Sequence, residues 1–506
     1  MKVIGKLIKK TAALGYKRIH KKRINAHHQT TVLWDLMSTA KNTQFGVYHR
    51  FSEKLKRKEF VRQFQEEVPI QDYEAFLTAW LSGTIDGQTD RTWPGKIKYF
   101  ALSSGTTGSP SKRIPVSIEM IRSFQKSSVR QYASMHILDL DEYFFSASGL
   151  AVGGSSKLKK VGTRYEGDLS GILKKHTSIL VKPITKPNNK IAGISDWNDK
   201  LNAMVDQAPK WNIGIIAGIP NWCVMLMERI VQRYALNSIH DIWPNLRVYA
   251  HGGVYMDPYV DRLKKISSKE IFLLDTYLAS EGYFAFQVNP EELGMKLLLN
   301  SGIFFEFIPF DSHYFNEEGE LIDDKKALSI DEVKEGVDYA LVITTNAGLW
   351  RYLIGDLVRF VDVRDHRIII SGRIKQFLSL CGEHLSLDNI NQGLKLLNDP
   401  LRKVGAEFTI VVDKVNSRHH WFFEAFDVKT NVDQVMHELD AHLCRLNDDY
   451  ASARKYNLNQ PIATLVPEGT FYRFMETFAK FGSQTKMPRV LNDKQSSDWL
   501  SYLKKD

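Results

Sequence analysis

Residues 99–117 read YFALSSGTTGSPSKRIPVS, an apolar strand running into a loop of hydroxyls, glycines and cations. Gly105 and Gly108 let the backbone take positive φ and approach a ligand closely, while Ser103, Ser104, Thr106, Thr107, Ser109 and Ser111 offer hydroxyl donors. Lys112 and Arg113 add positive charge. Backbone amides in such turns form anion-binding nests, so the stretch reads as a nucleotide phosphate loop. The Walker pattern is absent, because Pro110 stands where GxxxxGK[ST] needs its second glycine, and the spacing does not give GxGxxG. The plain alternative is an ordinary surface turn. Two hydroxyl pairs, two spaced glycines and a following basic pair favour phosphate.

The chain around this loop has 506 residues, 43% of them hydrophobic, which is ample for a buried core and too long for one ordinary domain. Its three cysteines, Cys223, Cys381 and Cys444, form no CxxC, which argues against a disulfide framework or a zinc site and suits a reducing cytoplasm. No apolar run is long enough to span a bilayer, so a cytoplasmic protein is expected. The net charge of +10 is local: residues 1–34 hold nine Lys/Arg and no acid, leaving 59 basic against 58 acidic residues elsewhere. A nearly neutral body does not point to nucleic acid. Val3, Ile4, Leu7, Ile8 and Leu14 among those lysines read as an amphipathic helix with a basic face, suited either to plain solvation or to a weak membrane-surface contact.

Outward from the loop, the pattern strand, turn, helix recurs. Residues 118–138 have helical spacing, SDWNDKLNAMVDQA reads as helix, WNIGIIAGIP as strand and turn, and NWCVMLMERIVQRYA as a strongly apolar helix. LRVYAHGG, DPYVDRLKKI, IFLLDTYLAS and the paired runs GIFFEFIPF and YALVITTNAG continue the alternation. This predicts an α/β fold with mixed β-sheets flanked by helices. Gly/Ser-rich residues 144–171 read as a mobile surface or pocket rim. A boundary falls near Gly372, after a hairpin over residues 359–371, giving a large domain over 1–372 and a smaller α+β domain over 373–506 that ends in an extended tail.

Two carboxylates stand out. Glu281, after the strand IFLL, is placed at a strand end, where a single carboxylate can hold Mg²⁺ against phosphates. Asp356, after Gly355, is placed to accept two ribose hydroxyls and leave an α-phosphate in line. His251 is assigned no chemistry, a lone histidine beside a strand being more often structural.

The loop resembles the first core motif of the adenylate-forming superfamily, and the wider pattern resembles the auxin-responsive Gretchen Hagen family of acyl-acid amido synthetases. Tyr277, Ser280 and Glu281 match that family's Tyr-x-x-Ser-Glu element, Ala279 replacing a common hydroxyl. Tyr352, Gly355 and Asp356 match its YRxGD element, although Leu353 takes the arginine's place and Arg351, two residues earlier, is a substitute to be tested. Gly252 and Gly253 resemble the Gly-Gly loop that runs past adenine. Lys375 sits at the position of the superfamily hinge. Gln484, Lys486, Pro488 and Arg489 match the C-terminal Gln-x-Lys-x-Pro-Arg element.

The resemblance implies ATP and Mg²⁺, with Glu281 as metal ligand and Lys486 as the lysine that a mobile C-terminal domain swings onto the reacting carboxylate and α-phosphate. It implies an acid pocket lined around residues 129–150, 219–222 and the Gly-Gly loop. The implied reaction joins a small carboxylic acid to an amino acid through an acyl-adenylate, releasing pyrophosphate and then AMP. Two rivals stand beside it: an acyl-CoA or other acyl-transfer ligase with the same first step, and a non-catalytic nucleotide-binding or membrane-peripheral protein.

Overall fold

The computed structural model describes the chain apart from residues 1, 22–25, 104–111, 180, 317–318, 323–326, 375–377, 379, 381–382, 384, 386, 398–406, 426–430, 479–486 and 505–506. Expected site residues Ser104, Gly105, Thr106, Thr107, Gly108, Lys375, Gln484 and Lys486 lie outside the described residues, as does Cys381.

An eleven-stranded mixed sheet forms the centre; one four-stranded sheet takes its strands from within residues 99–167 and another from within 408–491. The first small sheet pairs Tyr99–Ser103 with Lys112–Val116 as a hairpin, Ser103 facing Lys112, so the two ends of the phosphate-loop stretch are neighbours. Within the long sheet, Ser148–Val152, Ile213–Gly218, Val248–His251 and Phe272–Ala279 run parallel, joined by helical crossovers. Such strands are covered on both faces and read as continuous apolar runs, as IGIIAG does. From Phe272–Ala279 onward the sheet turns antiparallel, through Gly282–Phe286 to the pairing of Ile303–Pro309 with Asp338–Thr345. The α/β prediction therefore holds.

Helices begin where the local chemistry starts them. Ser117 Oγ accepts from the Met120 amide at 2.9 Å and opens Ile118–Ser134, a cap contributing about 1 kcal/mol. Pro220 starts the apolar helix Pro220–Arg233, whose Trp222, Leu226 and Met227 are buried. The predicted hairpin over 359–371 is present as Tyr352–Asp362 against Arg367–Arg373.

Two expectations need correction. The Gly/Ser-rich stretch over 144–171 is built into strands Ser148–Val152, Lys159–Val161 and Arg164–Gly167, because Leu150, Val152 and Glu166 are buried. The C-terminal tail is not extended: helix Asp448–Tyr456, strand Ile462–Pro467, helix Thr470–Phe478 and helix Asp493–Leu503 follow one another. Trp499 there is fully buried against Phe422, Phe471 and Phe474, so the tail completes a core. Beyond Arg373 the chain has its own sheet, Ile462–Pro467, Arg418–Ala425, Phe408–Asp413 and Val490–Leu491.

Candidate active site

Parallel strands Ile213–Gly218, Val248–His251 and Phe272–Ala279 point the same way, and ligands of such sheets sit at the carboxyl ends. Their ends carry Gly252, Gly253 and the two-residue turn of Ser280 and Glu281 that leads into Gly282–Phe286. Gly252 lies so close to the next strand that a Cβ would stand 2.3 Å from the Thr276 carbonyl oxygen, and Gly253 has φ +84°. Both need glycine for backbone reasons. His251, on the same strand end, is buried, with Nδ1 3.1 Å from Asp275 Oδ1.

Asp356 reaches this edge from the other half of the sheet. It lies inside the strand Tyr352–Asp362. Gly355 has φ +94°, and the pairing jumps from Ala340↔Leu357 to Val342↔Leu353, leaving 354–356 as a bulge that re-aims the aspartate. Tyr277 Oη donates to Asp356 Oδ2 at 2.7 Å, and Arg373 Nε donates to Oδ1 at 2.8 Å. Each oxygen keeps a lone pair for a ligand hydroxyl.

Glu281 is buried, and burial pushes its carboxyl up to about 7, against the pull of Lys112; Asp356 raises it further and Arg373 lowers it. Glu281, Lys112, Asp356 and Arg373 therefore share one electrostatic environment. Lys112 lies 5.2 Å over the ring of Tyr73, whose Oη accepts from the Arg113 amide at 2.9 Å. The Tyr352 hydroxyl is buried without a hydrogen-bond partner among the described residues, its ionisation suppressed by burial and then by the nearby Glu281. An orphaned buried hydroxyl in a charged cluster calls for an explanation, and a bound ligand supplies one.

The structure thus gathers Lys112, Tyr277, Glu281 and Asp356 from three distant segments, with Ser280 half-buried beside Glu281 and Ser103 opposite Lys112. Arg351 does not stand in for the missing arginine. It is fully buried at φ 42°, its Nε 3.1 Å from both Glu306 oxygens and one Nη donating to the Val68 carbonyl at 2.6 Å. The arginine on Asp356 is Arg373, which the sequence reading passed over. No spacing marks it in the sequence, because two register shifts in the hairpin stand between its turn and the Asp356–Arg373 pair. Of the expected acid-pocket segments, Val129 is exposed, and Trp222 is buried beside Trp197 and Tyr472.

No group of three or more metal-ligating side chains occurs among the described residues. Mg²⁺ carried by a nucleotide asks for only one or two protein carboxylates, phosphate oxygens and water completing its shell, and Glu281 fits that demand.

On the C-terminal side, Arg489 Nη donates to Glu407 at 2.9 Å and to the Phe408 carbonyl at 2.9 Å, and its guanidinium lies 4.6 Å over the Phe408 ring. Tyr259, from helix Asp257–Lys265, donates to the same Glu407.

The fold is that of the adenylate-forming enzymes. A solved structure of GH3.15 acyl acid amido synthetase superposes with a TM-score of 0.77 at 18% identity, covering 97% of this chain and 96% of that one. 2-Hydroxyisobutyryl-CoA ligase in its postadenylation state superposes with a TM-score of 0.61 at 14% identity, covering 95% and 91%. Residues 16–158 and 157–271 match the GH3 family N-terminal domain, 296–367 the GH3 family central domain and 394–495 the GH3 family C-terminal domain. The chain belongs to the GH3 family. It is 28% identical over 296 residues to jasmonoyl–L-amino acid synthetase JAR6 of Nicotiana attenuata, covering 53% of this chain and 48% of that protein. It is 27% identical over 297 residues to the probable indole-3-acetic acid-amido synthetase GH3.1 of Arabidopsis thaliana, covering 54% and 45%. The matched region spans about half the length of these relatives.

Proposed function

We propose that this chain is an ATP-dependent acid:amino acid ligase, which adenylates a small carboxylic acid and passes the acyl group to the amine of an amino acid. The observation that carries the reading is the meeting of Lys112, Glu281, Asp356 and Arg373, from segments spread over residues 112–373, around one buried pair of carboxylates. ATP is the substrate that explains a cation, a Mg²⁺-type carboxylate and a ribose-type carboxylate side by side. The activities named for the family's amido synthetases support the choice of an amino acid as acceptor.

In this reading Asp356, held by Tyr277 and Arg373, takes the ribose hydroxyls and orients the nucleotide. Gly252 and Gly253, having no side chains, leave backbone for the base to lie on. Ser103 to Lys112 hold the triphosphate, with Ser104, Gly105, Thr106, Thr107 and Gly108 supplying amides and hydroxyls. Mg²⁺, ligated by Glu281, neutralises phosphate charge when bound. The acid's carboxylate attacks the α-phosphorus, pyrophosphate departs, and Lys486 offsets the charge that develops there. The amine then attacks the acyl carbon and AMP leaves. In this reading the pivot between 1–372 and 373–506 lies near Gly372, with Lys375 at the hinge position.

The test is acid-dependent exchange of labelled pyrophosphate into ATP over a panel of carboxylic acids, followed by product analysis with amino acids and with coenzyme A. Exchange with amide products is expected, and Lys486→Ala abolishes the exchange. Thioester products alone would install the second reading, an acyl-CoA ligase, which the likeness to 2-hydroxyisobutyryl-CoA ligase favours. Absence of exchange with every acid would leave a non-catalytic nucleotide-binding protein.

A further inference from the structure

The N-terminal helix Lys2–Lys21 plays no part in the site. One of its faces is docked. Gly5 packs so tightly that a Cβ would stand 1.8 Å from the Glu142 carbonyl oxygen, and Ala12 is buried with Met135, Leu140 and Phe144. Lys9 Nζ donates to the Leu140 carbonyl at 2.6 Å, and the Tyr16 ring lies 4.5 Å from that of His136. At 100° per residue Ile8, Ala12, Gly5 and Tyr16 form this docked arc.

The opposite arc is apolar and uncovered. Val3 is 83% exposed, Leu7 66%, Ile4 60% and Leu14 57%. Thr11 shares the arc with its hydroxyl already bonded to the Leu7 carbonyl at 2.9 Å, so the arc presents no unmet polar group. Alongside it runs a second exposed arc of Lys2, Lys6, Lys10 and Lys17, and no acid occurs anywhere in residues 1–34. Solvation alone accounts for the lysines. It does not account for four aliphatic side chains held outward on a helix whose other face is locked in place.

We infer that this outward face is an interfacial anchor for an anionic phospholipid surface: Val3, Ile4, Leu7 and Leu14 enter the acyl boundary while Lys2, Lys6, Lys10 and Lys17 lie among the headgroups. An apolar stripe beside a row of lysines is what a membrane interface takes, aliphatic groups going inward and ammonium groups staying with lipid phosphates. A cation row without acids is poorly suited to a second copy of itself, because like charges would meet across the two-fold axis.

The test uses the full-length protein and co-sedimentation with phosphatidylcholine vesicles, alone and mixed with phosphatidylserine. Binding is expected with the mixed vesicles, weak or absent on phosphatidylcholine, and reduced by salt. Lys6→Gln/Lys10→Gln lowers the partition coefficient by about thirtyfold, each lysine being worth about fivefold near an anionic surface. Leu7→Asp/Leu14→Asp abolishes binding, with circular dichroism and pyrophosphate exchange unchanged, since neither residue touches the site. Equal binding to both vesicle types, or undiminished binding by both variants, overturns the inference. So does a wild-type dimer that Leu7→Asp/Leu14→Asp converts to monomer, which would make the face a contact between copies.

Discussion

Two arginines near the YRxGD-like element should respond in opposite ways when replaced. Arg351 lies against Glu306, both fully buried, with Nε 3.1 Å from each carboxylate oxygen and further bonds to the Gln65 and Val68 carbonyls. Arg351→Met strands an ionised carboxylate in the core and frees two carbonyls, a loss of about 3 to 5 kcal/mol. Arg351→Met/Glu306→Leu removes both charges and recovers most of that, so the double-mutant cycle returns a coupling of about 2 kcal/mol or more. Arg373 has a side chain 54% exposed and donates to Asp356 at 2.8 Å. Arg373→Met is therefore expected to cost less stability than Arg351→Met, since Arg373 is half-exposed and the buried Asp356 carboxylate keeps the Tyr277 hydroxyl. It should instead cost about ten- to a hundredfold in kcat/KM for ATP, the range of one charge-assisted hydrogen bond in an excluded site. Urea unfolding followed by tryptophan fluorescence, beside pyrophosphate exchange on the folded variants, separates the two. An Arg351→Met protein of native stability with an impaired KM for ATP would refute the reasoning.

Glu281 carries a pH signature: its carboxyl is pushed from 4.5 to about 7, so its contribution to the stability of the unliganded protein is full below about 4.5 and is lost as pH rises through about 7. Glu281→Gln lacks that slope and should gain on the wild type by up to about 3 kcal/mol between about pH 5 and about pH 8, while pyrophosphate exchange falls. Parallel urea curves for both proteins at the two pH values check this, and an unchanged difference between them contradicts it. Tyr352→Phe removes an orphaned buried hydroxyl and should stabilise the unliganded chain by about 1 kcal/mol while weakening ATP binding. Thermal unfolding with calorimetric titration of ATP decides it, and equal affinities in both proteins would show that the hydroxyl meets no ligand.

Local pattern alone determined much here. The strand that runs into the phosphate loop, the apolar strands and the hairpin over 359–371 follow from side-chain periodicity and turn residues, which act over a few neighbours and are visible as spelling. The motif stretches named the edge of the sheet where Glu281 and Asp356 meet, because each sits beside a strand that reads plainly. Which arginine serves Asp356 was settled only in three dimensions. Arg351 is nearer in sequence, but a positive φ and the buried Glu306 turn it into the core, while the bulge at 354–356 faces Asp356 toward Arg373 across the ladder. The folded tail was hidden for the same kind of reason, since Trp499 becomes core only when Phe422 and Phe474 arrive from other elements. The elevated carboxyl of Glu281 likewise has no counterpart in the letters around it: burial, and the Asp356 charge that adds to it against the pull of Lys112, exist only after distant segments pack together.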